Sequence, residues 1–133
     1  MALISITRLR VRSARYLPAF LWYTALSTWQ AKRAPGCFAV RLLRDTNNTF
    51  WTSSAWQDEA AVRAFILYGA HRRAMPRLLA WCDEASVVHW HQDAAELPNW
   101  SEAHRRMVEE GRRSKVHHPS LAHNEYRIPQ PKA

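Results

Sequence analysis

With 133 residues, 47% of them apolar and seven of them tryptophan, the chain has material for one sizeable core and too little length for two, since a domain needs roughly 100 residues to bury most of its unfolded surface. A formal charge of +8 raises nucleic acid as a partner, but the 19 basic residues are scattered and mixed with Glu102, Glu109 and Glu110 in the final third, and no basic helix, glycine-rich motif or finger spacing accompanies them, which sets that class aside. Cys37 and Cys82 lack CxxC spacing and suit free thiols in a reducing compartment, and the uncharged run 16–31 contains Pro18 and falls short of the about 20 residues of a membrane span, so a cytoplasmic location with no membrane partner is expected.

The segment 3–11 is rich in aliphatic and β-branched residues, with Arg8, Arg10 and Arg12 spaced two apart, and predicts the first strand. Ser13 can cap a helix that tolerates Pro18 only in its first turn and carries Leu17, Phe20, Leu21, Thr24 and Trp29 at near-helical spacing, ending before Pro35 and Gly36. Segments 37–44 and 49–56 return to strand composition around Asp45-Thr46-Asn47-Asn48, whose residues suit a tight turn, so a hairpin is expected. Asp58 is an N-cap for a second helix carrying Val62, Phe65 and Ile66 and meeting Gly69. A further helical piece over 70–82 holds Pro76, which predicts a kink or a fresh start near Met75. Strand four follows over 85–91, then a polar helix over 101–110 and a tail rich in His, Pro and charge, expected to be mobile or to wrap a neighbour.

The order β-α-β-β-α-β specifies an α+β fold of ferredoxin-like type over residues 1–93, with 94–133 as a polar C-terminal extension. Two helices shelter one face of a four-stranded sheet, yet Phe38, Val40 and Leu42 oppose Cys37, Ala39 and Leu43, while Phe50 and Trp56 oppose Trp51 and Ala55. Both faces are apolar, and a second copy of the chain is the expected cover, making a homodimer.

Trp51-Thr52, then Trp56-Gln57-Asp58-Glu59-Ala60, Phe65, Gly69-Ala70-His71, and finally Trp81 and Glu84 before His89-Trp90 together resemble the antibiotic-biosynthesis-monooxygenase-like dimeric α/β barrels. The resemblance covers residues 3–92, is nearest to an uncharacterised bacterial branch of that superfamily, and extends more distantly to spheroidene monooxygenase. It implies a cavity enclosed by the sheet and the two helices of each subunit. It also implies a range of activities: some members oxidise aromatic polyketides without a cofactor, others bind or degrade haem, and others have no established activity.

Within that frame His71 follows the break at Gly69 and can aim an imidazole between helix and sheet, as an acid, a base or the axial ligand of a haem. A histidine that only fixes the helix break is an equal alternative. Trp51 and Trp56 lie on opposite faces of one strand, so only one can line the cavity; Trp56 matches the superfamily's strand-end Trp, and core packing is the simpler role for both. With Phe65 and His89 they form the expected pocket for a small apolar ligand. His89 and His91 share a strand face but have no third ligand, so strand packing is preferred over a metal, and His104, His117, His118 and His123 fall in the polar extension. With three glycines in all, a phosphate-cradling loop is excluded. Two functions follow: a monooxygenase-like enzyme acting on an apolar or aromatic small molecule, with no cofactor or with haem, and a non-catalytic homodimer with a packed core.

Overall fold

The strand β1 (Ala2–Val11) lies at the centre of a five-stranded antiparallel sheet in a computed structural model that describes residues 1–132. Its neighbours are β3 (Thr49–Trp56) and β4 (Cys82–Gln92), with β2 (Cys37–Arg44) beyond β3 and the two-residue β5 (Arg112–Arg113) beyond β4. The order β2-β3-β1-β4 is the expected ferredoxin-like arrangement, and β5 adds an edge from the C-terminal extension. Asn47 and Asn48 turn the β2–β3 hairpin with φ of 57° each, a left-handed region that asparagine enters more readily than other side chains.

Three helices cover one face: α1 (Leu17–Arg33), α2 (Glu59–Ile66) and α3 (Gly69–Trp81). Pro18 stands in the first turn of α1, where its missing N–H costs nothing. Ser13 caps no helix; it precedes a single 3-10 turn, Ala14–Tyr16, from which α1 continues. Asp58 caps α2 as expected, accepting from the Ala61 N–H at 2.9 Å. The expected restart near Met75 is corrected: α3 runs unbroken through Pro76 and passes directly into β4. Gly69 opens α3 at φ +62°, and a Cβ there would stand 3.1 Å from the Gln30 Oε1.

The second face carries Ile4, Ile6, Trp51, Ala55, Val88 and Trp90, all buried. Their cover is α4 (Trp100–Glu110), whose Ala103 and Met107 are fully buried against them, with Leu97, Trp100 and Ile128 at the margins. The premise that the chain's own helices shelter only one sheet face is therefore corrected: the C-terminal extension shelters the other. Two Arg–Trp stacks seat the helix, Arg106 over Trp90 at 4.6 Å and Arg41 over Trp100 at 5.3 Å. Burial of Met107 alone contributes about 1.5–3 kcal/mol.

The tail is tied down rather than free. The Ser114 N–H donates to the Ala85 carbonyl at 2.9 Å, the His117 N–H to Leu79 at 2.9 Å, and the Ser120 N–H to Asp83 at 3.0 Å. A short helix α5 (Leu121–Asn124) follows, after which the Tyr126 hydroxyl donates to the Met107 carbonyl at 2.5 Å and His104 Nε2 meets the Ile128 carbonyl at 2.7 Å. A side chain on Gly111 would collide with the Met107 carbonyl and the Tyr126 hydroxyl, so glycine is required where α4 gives way to β5.

Candidate functional site in the sheet–helix cavity

On antiparallel strands, residues that pair across the ladder point to the same face, and this writes two rows across the sheet beneath the helices. One row runs Val40, Ser54, Ser5, His89, and the next runs Leu42, Thr52, Thr7, Val87, Arg112. Small hydroxyl residues at the centre of both rows leave room that larger side chains would fill. Above them a cavity of about 360 Å³ opens, roofed by Tyr23, Ser27 and Thr28 of α1, Val62 and Phe65 of α2, and His71, Ala74 and Leu78 of α3.

One end of the cavity is aromatic. The rings of Trp56 and Phe65 lie 5.1 Å apart, and those of Phe65 and His71 lie 4.7 Å apart. Trp56 is locked: its indole N–H donates to Ser54 Oγ at 2.8 Å. Burial holds the His71 imidazole below its ordinary pKa, against the opposing pull of the Ile66 carbonyl. The ring is therefore neutral at pH 7, and its Nδ1 is buried without a hydrogen-bond partner. His89 is also held below its ordinary value, by burial and then by the charge of Arg112, with Glu59 opposing.

Of the residues expected to form the site, Trp56, Phe65, His71 and His89 all line this cavity. Trp51 does not. It lies on the other face beneath α4, its ring 6.4 Å from His104 and its indole N–H reaching Asp45 Oδ2 at 3.3 Å. A pocket role for Trp51 is thus corrected by the alternation of the strand. Among the described residues no three His, Cys, Asp or Glu side chains form a metal-holding group.

Sequence reasoning passed over the polar floor and the contribution of the extension. Ser5, Thr7, Thr52 and Ser54 read as ordinary strand residues, although their shared parity with Trp56 or His89 was a signal. Arg112 and Ser114 also line the cavity, brought there by β5. Among the described residues no carboxylate lines it.

A family model described as "Domain of unknown function (DUF3291)" matches residues 11–114. Among solved structures the chain is similar to SnoaB, a cofactor-independent oxygenase from Streptomyces nogalater, at 22% identity over 70% of this chain and 94% of that one, with a TM-score of 0.57. An antibiotic biosynthesis monooxygenase is similar at 19% identity over 69% of this chain and 99% of that one, with a TM-score of 0.61. The protein Rv0793 from Mycobacterium tuberculosis reaches a TM-score of 0.64 at 11% identity, over 72% of this chain and all of that one. The fold is thus that of the antibiotic-biosynthesis-monooxygenase-like proteins. A search of curated proteins finds no match.

Proposed function

The chain belongs to the family described as a domain of unknown function (DUF3291), and on that premise we propose that it is a monooxygenase-like enzyme acting on an apolar, ring-bearing small molecule held between sheet and helices. The observation that carries this reading is the cavity of about 360 Å³ with Trp56, Phe65 and His71 at one end and, among the described residues, no carboxylate in its wall. A space of this size sits within the roughly 300–1,000 Å³ of small-molecule sites.

Phe65 offers a flat surface to a ring, with the fully buried Trp56 packed behind it, and the hydroxyls of Ser5, Thr7 and Thr52 offer hydrogen bonds to its polar edge. His71 is the proton acceptor. Its ring lines the cavity, and in the neutral imidazole one nitrogen holds a lone pair ready at pH 7. Loss of a proton from an activated methylene gives a carbanion that dioxygen can oxidise. The balanced outcome is a ketone and one water, with one oxygen atom going to each. Free thiols at Cys37 and Cys82 fit a reducing, cytoplasmic setting.

A haem does not fit the residues present. Of the two imidazoles in the wall, His71 has the Phe65 ring packed 4.7 Å from it and His89 is exposed, and among the described residues Arg112 is the one cation there for two propionates. No step runs through one.

Oxygen uptake with anthrone, a polycyclic ketone with an acidic methylene, tests the proposal. Uptake above the buffer rate that falls about a hundredfold or more in His71→Phe supports it, the lower bound of a general-base contribution. A rate unchanged by that substitution, in a variant of unaltered fold, overturns it.

A further inference from the structure

The β5 segment adds a second specification to the ligand. Arg112 pairs with Val87 on the edge of the sheet, so the two side chains share the face that floors the cavity, and among the described residues Arg112 is the one charged side chain lining it. Among the described residues no carboxylate lies within ion-pair distance of its guanidinium. Glu110, which borders a small hollow beside it, is engaged with Arg106 at 3.2 Å. The charge of Arg112 reaches His89, whose ring it helps keep neutral, and Glu59 is the acidic group that faces His89 in turn. An arginine without a carboxylate, set at the rim of an otherwise uncharged apolar cavity, is a binding group for an anion.

We propose that the cavity takes an amphipathic acid, its apolar rings against Phe65 at the aromatic end and its single anionic group on Arg112. This rests on the reading of the cavity as a small-molecule site and names the class of molecule. Three strand spacings separate β3, whose Trp56 marks the aromatic end, from β5, which carries Arg112, roughly 14 Å at the usual distance between strands, and Trp56 stands four residues along β3 from Thr52 of the Arg112 row, roughly another 13 Å at right angles. Both side chains line the cavity and shorten that backbone distance, and the remainder suits two or three fused or linked rings with the acid at one end. The hydroxyls of Thr7 and Thr52, in the same row as Arg112, lie along the path.

Two fluorescent probes that differ by one group make the test: 1-anilinonaphthalene-8-sulfonate and its neutral parent N-phenyl-1-naphthylamine. The expected result is a Kd about tenfold lower for the sulfonate, the value of one charge-assisted hydrogen bond. Arg112→Gln is expected to raise the sulfonate Kd to that of the neutral probe and to leave the neutral probe unchanged; the residue is exposed, so the fold tolerates the change. Equal binding of both probes, with Arg112→Gln silent on each, overturns the anion site while leaving the cavity reading intact. Two blocking variants on different helices, Ala74→Leu and Ser27→Leu, locate the probes. If sulfonate binding survives both, the probe sits elsewhere on the basic surface and the proposal falls. If neither probe binds the parent protein, the cavity reading fails and takes the proposal with it.

Discussion

The Gln30 side chain holds the backbone of His71. Its Oε1 accepts the His71 N–H at 3.1 Å, while its Nε2 donates to the carbonyls of Phe65 at 3.1 Å and Tyr68 at 2.7 Å. One amide from α1 thus ties together the end of α2, the Leu67-Tyr68-Gly69 break and the start of α3. The His71 N–H, in the first turn of α3, would otherwise have no partner within the helix. Gln30→Leu is expected to lower stability by about 1–3 kcal/mol, the cost of part-buried polar groups left without partners. Chemical denaturation measures it, and a loss of proton-transfer activity larger than the stability change would show that the amide also positions the imidazole.

The depressed pKa of His71 carries a pH dependence of its own. A buried imidazole resists protonation in the folded state, whereas the unfolded chain takes up the proton near the ordinary value of 6.5. The contribution of this site to stability is full above that value and declines as pH falls toward the lower folded pKa. His71→Phe keeps the ring and removes the titration. Its denaturation midpoint is expected to fall less than that of the parent between about pH 7 and pH 5. Parallel curves for the two proteins would refute the assignment.

The hairpin, the Asp58 cap and the strand order were legible because each depends on local chemistry: paired asparagines, a carboxylate before a helix, alternating strand residues. The coverage of the outer face was not. Residues 101–110 contain only a few apolar side chains, and composition weighs them as a polar helix, yet Ala103 and Met107 recur at helical spacing and are the two that become fully buried. Trp51 and Trp56 illustrate a further limit. Parity assigns them to opposite faces, but which face is a cavity depends on where the helices fall. Arg112 gave no signal at all, since its position comes from a two-residue pairing with β4 at long range.

Arg8 and Glu84 form an ion pair of 2.7 Å whose side chains are each 5% exposed. Burial drives the Glu84 carboxyl upward, but the hydrogen bonds from Arg8 and Ser120, the Arg8 charge and the Arg10 bond outweigh it and hold the pKa below the ordinary 4.5. The pair stabilises the fold above that value and is lost as pH falls through the lower folded pKa. Glu84→Gln leaves the Arg8 charge buried and uncompensated, an expected loss of about 3–5 kcal/mol. Urea titrations at neutral pH read the loss, and in acid the difference from the parent is expected to shrink.

Cys82 is fully buried, and burial together with the neighbouring Asp83 charge pushes its thiol up to about 12. Only the thiolate attacks a disulfide reagent, so at neutral pH the native protein is expected to expose no reactive Cys82. Cys37 is half-buried and also raised, by burial, and is expected to react slowly. Titration with an aromatic disulfide should release at most one equivalent before denaturant and two after it. Rapid release of two equivalents from the native chain would contradict the packing of α3 into β4.

The sharpest consequence of the fold concerns its outer face. Ile4, Ile6, Trp51, Ala55 and Val88 are buried there by α4 and the tail, not by another copy. A chain ending at Asp93 would uncover all five while keeping every residue of the four-stranded ferredoxin-like sheet. An exposed apolar sheet face of this kind recruits a second face. The full chain is expected to sediment as one subunit, and the truncated chain as a dimer or larger assembly. Met107→Ala separates packing from chain length: it retains the helix, opens a void over Trp51 and should cost about 2–5 kcal/mol. If the full chain instead sediments as a dimer, and Met107→Ala dissociates it without altering the subunit's helical content, then α4 covers a partner's sheet rather than its own.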